Sequence, residues 1–307
     1  MANTATRVRP RSSTGQEPRR QARAHRLFVA PTILAIVVLG AYPLLFILAG
    51  AFSDSTLGKP FRNWVGTENL EVVLADGDVV ASIVRTVLYA LGVSVVSVGL
   101  GVVIALALER ATRSGAVVRT LLLLPLITPP VVVGTLWKLV FNPGGGLLDT
   151  LLRGVGVEGA SIAPLSSTFW ALPAIGLADV WQWTPLVTLL VYAALLTQDP
   201  AVREAASLDG AHGFSLFREI TWPAVAGTVA AVFFIRLVIA LKVFDLVFIM
   251  TSGGPGVAST TTSYVIYQVA LKEFDIGRAS AITLVFAVVV TLVTIPFAVL
   301  TRRLTHD

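Results

Sequence analysis

The stretch Arg203-Glu204-Ala205-Ala206-Ser207-Leu208-Asp209-Gly210-Ala211 is a polar, helix-prone interruption in an otherwise strongly apolar chain. Just ahead of it, Asp199 and Pro200 form a helix start. An aspartate cap accepts hydrogen bonds from backbone N–H groups with no helical partner, and proline at the first helical position has no N–H to lose. Gly210 supplies the stop. A helix is therefore predicted over about residues 200–209, with Ala201, Val202, Ala205, Ala206 and Leu208 forming a small apolar surface and Glu204 and Asp209 carrying its charges. A helix this short is marginal on its own in water. Nor does it suit the membrane surface, where Lys, Arg, Trp, Phe and Leu are favoured, because it holds two acids, one base and mainly alanine. The segment reads as a docking element held between its own domain and a partner.

Working outward, 55% of the residues are hydrophobic and 13% charged, against about 25% charged in soluble domains. Apolar runs of the length that crosses a bilayer as a helix, roughly 20 residues, fall at 28–52, 82–108, 117–141, 169–197, 223–250 and 279–300. The expectation is an all-α membrane protein with six transmembrane helices, preceded by a disordered basic tail over residues 1–27. Six crossings put both termini on one side. Basic residues near span ends are retained in the cytoplasm, and Arg7, Arg9, Arg11, Arg19, Arg20, Arg23 and Arg26 crowd the tail. Arg110, Arg113, Arg119, Arg203, Arg218, Arg302 and Arg303 lie on the same side, against Lys59, Arg62, Arg153, Lys272 and Arg278 on the other. Termini and docking loop are therefore expected in the cytoplasm of a prokaryotic cell, with the bilayer as the surroundings.

Several classes of function are disfavoured. Cysteine is absent, which removes thiol chemistry. His25, His212 and His306 have no ligand spacing, so no metal site is expected. No aromatic side chains interleave the tail arginines, so nucleic acid is not the expected partner. None of Lys59, Lys138, Lys242 and Lys272 sits in a Gly-x-x-x-x-Gly-Lys-Ser/Thr phosphate loop. Short surface helices are expected at 68–74 and around Leu147, Leu148, Leu151 and Leu152, whose spacing is helical.

The spacing Glu204-Ala205-Ala206, Asp209-Gly210-Ala211, Phe217, Ile220 and Pro223 resembles the "EAA" loop of permease subunits in binding-protein-dependent ABC importers. Phe244-Asp245, Ser252-Gly253-Gly254-Pro255, Tyr264, Tyr267 and Asp275-Ile276-Gly277-Arg278-Ala279 are similar to the carbohydrate branch of that family, which includes maltose-type and glycerol-phosphate-type permeases. The resemblance implies a type I importer transmembrane domain over 28–303. Its loop at 198–222 would couple to an ATPase through Arg203, Glu204, Ala205, Ala206, Leu208, Asp209, Gly210 and Ala211. It also implies the partners: a second related permease, two ATP-binding subunits that hold ATP and Mg, and an extracytoplasmic solute-binding protein. The chain itself would be no enzyme and would hold no cofactor. A non-carbohydrate solute, or an ATP-independent secondary transporter, remains the alternative.

Polar groups within spans are expensive and often functional. Asp179, Gln182, Trp183 and Leu186 lie at helical offsets 0, 3, 4 and 7, which puts an acceptor, an amide and an indole on one face. That combination suits a sugar, whose hydroxyls need donors and acceptors and whose apolar ring face packs on an aromatic. The resemblance adds Leu126, Pro130, Ile239, Ala240 and Val243 as solute contacts, most of which cannot hydrogen-bond through side chains. The fifth span carries the intramembrane charges Arg236, Lys242 and Asp245. Lys242 and Asp245 are three apart and are expected to pair on one helix face, with Asp179 as the other acid in reach of Lys242.

Overall fold

The computed structural model describes residues 17–110, 115–156 and 163–306. It comprises two units, residues 1–49 and 50–307. In the first, helix α1 (Glu17–Ala51) carries an apolar stretch over Val29–Ala51. The helix begins inside the stretch whose composition reads as a tail, because Pro18 suits a first helical turn and the Arg, Gln and Ala that follow are good helix formers. Residues 1–16 of the expected tail lie outside the described residues.

The second unit opens with a short hairpin, a small addition to a helical fold. Strands β1 (Ser53–Thr56) and β2 (Lys59–Trp64) pair antiparallel, with Ser53 opposite Trp64. The hairpin is held from outside itself: the Leu57 N–H donates to the Phe274 carbonyl at 3.1 Å, and Thr56 bridges to Asp275. Helix α2 (Glu68–Ala75) follows where it was expected, and Asn69 Nδ2 ties it to the Ser53 carbonyl at 3.0 Å.

Helix α3 (Gly77–Arg110) starts under Asp76, whose carboxylate accepts from the N–H groups of Asp78 and Val79 at 2.9 and 3.3 Å. Next come α4 (Gly115–Ile127) and α5 (Pro130–Val140), bent 99° from each other. The expected span 117–141 is thus a broken pair. Pro129 and Pro130 explain the break, since each lacks an N–H and each excludes helical geometry from the residue before it. Helix α6 (Leu147–Gly154) is the expected short helix of the next loop.

Helix α7 (Ala171–Leu196) packs along α3 through small residues. A Cβ on Gly101 would lie 2.5 Å from Val187 Cγ1, and one on Gly176 would lie 3.2 Å from Val93 Cγ1. Beyond α7 stand α8 (Pro200–Leu208), α9 (Phe214–Leu216), one π-helical turn at Phe217–Thr221, and α10 (Trp222–Leu241). The expected span 223–250 ends early. The chain leaves helical geometry at Lys242–Phe244 and resumes as α11 (Asp245–Met250). Helix α12 (Thr262–Leu271) lies in what read as a loop, and α13 (Ile276–His306) closes the chain. Among the described residues, five helices are long and apolar enough to cross a membrane, and the bent α4–α5 pair has the length and composition of a sixth span if its two arms count as one.

Candidate functional site

Two places bring the singled-out residues together. The first is α8. The Asp199 carboxylate accepts the Ala201 N–H at 2.9 Å, so the predicted cap forms. At the other end the Gly210 N–H reaches the Ser207 carbonyl at 3.2 Å, and the Ala211 N–H reaches that of Ala206 at 2.9 Å. This paired closure needs a left-handed residue, and Gly210 supplies it at φ +87°. One face turns inward: Arg203, Ala206, Ser207 and Ala211 are half-buried, and Arg203 pairs with Glu109 at the end of α3. The other face is open, with Glu204, Ala205, Asp209 and Gly210 exposed, Val202 51% and Leu208 89% accessible. Phe217 sits between Phe214 and Trp222 at the π-helical turn in tilted ring contacts, with centroids 6.3 and 6.0 Å away.

The second place is a cavity of about 120 Å³ where α5, α7, α10 and α11 converge. Of the expected solute contacts, Asp179, Gln182 and Trp183 from α7, Pro130 from α5, and Ile239 and Val243 from α10 and the turn after it line this cavity. Lys242, Phe244, Asp245 and Leu246 complete it. Leu126 and Leu186 are half-buried away from the lining, and Ala240 is packed into the core. The cavity sits where both neighbouring helices are interrupted, at Thr128–Pro129 and at Lys242–Phe244, and the two breaks let backbone and side chains reach it.

The charges pair differently from the sequence expectation. Asp179 pairs with Arg236, not Lys242, and both side chains are almost fully buried, at 5% and 0% accessibility. Arg236 Nε also donates to Ser97 Oγ at 3.3 Å, so one guanidinium joins α3, α7 and α10. Lys242 and Asp245 do not pair with each other, because α10 stops at Leu241 and the i, i+3 helical relation is lost. Both are exposed, so the cavity presents an ammonium and a carboxylate free of ion pairing among the described residues.

Gln182 has a structural partner that sequence spacing did not reveal. Its Nε2 donates to the Thr128 carbonyl at 3.0 Å, satisfying a backbone group freed by the α4–α5 break. That bond fixes the amide orientation and leaves Oε1, buried, with no hydrogen bond from the described residues. Beside the cavity, Phe244, Phe248, Tyr264 and Tyr267 form an aromatic cluster with centroid distances of 5.3 to 6.4 Å. Phe244, Tyr264 and Tyr267 drew attention in the sequence only through the resemblance, since nothing local shows that α12 folds back onto α11.

Residues 97–306 match the family described as "Binding-protein-dependent transport system inner membrane component". A probable ABC transporter permease protein of Sinorhizobium fredii is 30% identical over 297 residues, covering 95% of each chain. The trehalose/maltose transport system permease protein of Thermococcus litoralis is 30% identical, covering 89% of this chain and 93% of its own. The sn-glycerol-3-phosphate transport system permease protein of Agrobacterium fabrum is also 30% identical, over 87% of this chain and 91% of its own. Among solved structures, a bacterial ABC transporter involved in import of the acidic polysaccharide alginate superposes with a TM-score of 0.82, at 21% identity, over 94% of this chain and 98% of that one.

Proposed function

Because the chain belongs to the family of inner membrane components of binding-protein-dependent transport systems, we propose that it is the permease subunit of an importer for a sugar or sugar-like solute, with α8 as its seat for an ATPase partner. The observation that carries this reading is α8 itself: a helix capped at both ends, anchored on one face and open on the other through Glu204, Ala205 and Leu208. A capped helix with an exposed leucine has an unfilled contact, and burying a leucine stabilises by roughly 1.5–3 kcal/mol.

The remaining assignments follow from that role. ATP and Mg bind on two partner subunits, whose closure moves α8. A second related permease completes the translocation path, and an extracytoplasmic binding protein delivers the solute. The excess of basic residues on the side of α8 supports a reading with both termini in the cytoplasm. In the cavity, Asp245 accepts and Lys242 donates hydrogen bonds to hydroxyls, Gln182 Oε1 accepts another, and Trp183 offers a face to the ring. The named solutes of the relatives, trehalose/maltose and glycerol phosphate, support a polyhydroxylated solute for this chain.

The test uses the assembled importer. Gly210→Val forces a branched side chain into left-handed geometry, with nothing within 4 Å for it to strike, so the damage is confined to the end of α8. Leu208→Glu alters the exposed face alone. Both variants are expected to insert and remain folded while losing co-purification of the ATPase subunits and uptake of labelled trehalose, maltose or glycerol phosphate. Full retention of the ATPase subunits in both variants would sink the assignment of α8.

A further inference from the structure

We infer that α3 is a rigid transmission rod between α8 and the loop at the opposite end of the helix, with Glu109 and Arg203 as positioning residues at its driven end. The inference rests on the reading of α8 as the ATPase seat and goes beyond it by naming the route that motion takes.

At the driven end, Glu109 stands in the last turn of α3. A carboxylate is disfavoured there, because the helix dipole presents its negative end. Arg203 reaches from α8 to neutralise it, and the two side chains are 33% and 11% accessible. Beyond its junction with α9, α8 has few close backbone neighbours. The ion pair is thus a polar tie, among the described residues, from its inner face to the bundle.

At the far end, the Arg85 Nε–H donates to the Thr260 carbonyl at 3.1 Å, and the Thr262 N–H donates to Thr86 Oγ1 at 2.9 Å. From Arg85 to Glu109 an unbroken helix spans roughly 36 Å at about 1.5 Å per residue. The loop it grips is tied into one body: Thr251 and Ser259 hydroxyls meet at 2.8 Å, and Thr260 Oγ1 donates to the Gly253 carbonyl at 3.0 Å. Midway along the rod, Ser97 accepts from Arg236, the partner of Asp179 at the solute cavity. One uninterrupted helix therefore touches α8 and the far loop, and connects to the cavity lining through Arg236 and Asp179. By contrast, the α4–α5 and α10–α11 paths are both broken at the level of the cavity.

The absence of cysteine in the natural sequence allows a clean reporter. Val257→Cys places one thiol on the far loop, at a position 48% exposed. The complete importer is reconstituted in liposomes, and the rate of labelling by a membrane-impermeant maleimide is compared with and without MgATP and vanadate. The parent importer is expected to show a severalfold change. Glu109→Gln is expected to retain the ATPase subunits and ATP hydrolysis while the ratio of the two labelling rates falls to near unity. Exchanging the charges, Glu109→Arg with Arg203→Glu, is expected to restore the response, which a merely structural contact elsewhere would not do. An unchanged response in Glu109→Gln overturns the rod, as does failure of the exchange to restore it. If ATPase subunits do not bind the parent chain at all, the reading of α8 fails first and the rod fails with it.

Discussion

The buried pair Asp179–Arg236 sets the largest single-residue effect expected in this protein. Replacing Asp179 with Leu leaves a guanidinium at 0% accessibility without its counter-charge, and among the described residues the 3.3 Å contact to Ser97 is what remains to it. Removing one partner of a buried pair destabilises by about 3–5 kcal/mol, whereas replacing both by apolar groups of similar size is often neutral. At about 1.4 kcal/mol per tenfold, that is roughly two to four orders of magnitude in the folding equilibrium. Asp179→Leu and Arg236→Met are therefore each expected to lower stability strongly, while the two together recover most of the loss. The assay is denaturant-induced unfolding in detergent, read as a double-mutant cycle, with a coupling energy of about 2 kcal/mol or more expected for groups in direct contact. Solute affinity is measured on the same set. Single variants as stable as the parent within about 0.5 kcal/mol, or independent effects that simply add, would refute the account. A double variant that is stable yet has lost solute binding would move Asp179 from a structural to a ligand-contacting role.

Three further outcomes are expected. Gly101→Leu drives a side chain into Val187 and the backbone at Thr188, where even a Cβ would lie 2.5 and 3.1 Å away; a loss of at least about 1–3 kcal/mol is expected from overpacking, read by unfolding, and a neutral result would show that α3 and α7 can separate. Gln182→Leu strands the Thr128 carbonyl, with an expected loss of about 1–3 kcal/mol measured by the same unfolding assay, and Gln182→Glu fails to rescue because a carboxylate cannot donate. For Asp76, burial raises the carboxyl, but the N–H groups of Val79 and Asp78 and the Arg278 guanidinium outweigh it and hold the pKa below its usual 3.8. A lowered folded-state pKa contributes stability above the unfolded value and loses it as pH falls through the folded one. Asp76→Asn, which keeps an N-cap but not the charge, should therefore lower stability at neutral pH, flatten the acid limb and converge with the parent as the pH falls below about 4.

What could be read from the chain was local. The bounds of α8 depend on Asp199, Pro200 and Gly210, close neighbours in the chain, and the predicted helix differs from Pro200–Leu208 only at its last residue. Helix α6 was legible for the same reason, from the spacing of its leucines. The breaks were less so. Pro129-Pro130 marks a site of disruption, but a 99° bend is tolerable only because Gln182, 54 positions away, takes up the Thr128 carbonyl. The stop of α10 at Leu241 has no proline or glycine to announce it. It is held by contacts of α11 with α5, where Gly134 lets Ile249 approach to 3.1 Å of where a Cβ would stand. The Asp179–Arg236 pair was not legible because helix-to-helix register decides whether Arg236 or Lys242 reaches Asp179, and one sequence does not state that register. The hairpin at Ser53–Trp64 escaped notice because its strands are short and polar and take support from Phe274 and Asp275, far along the chain.

The open face of α8 bears on the life of the chain before it finds its partners. A freshly inserted copy carries Leu208 and Val202 in water, with Phe214 74% accessible in the next turn. Such a cluster is tolerable only once covered, since exposed apolar patches promote association with the wrong surfaces. Surplus copies made without matching ATPase subunits should therefore be sticky and short-lived, so that the cell gains more from balanced synthesis of the set than from abundant synthesis of this member.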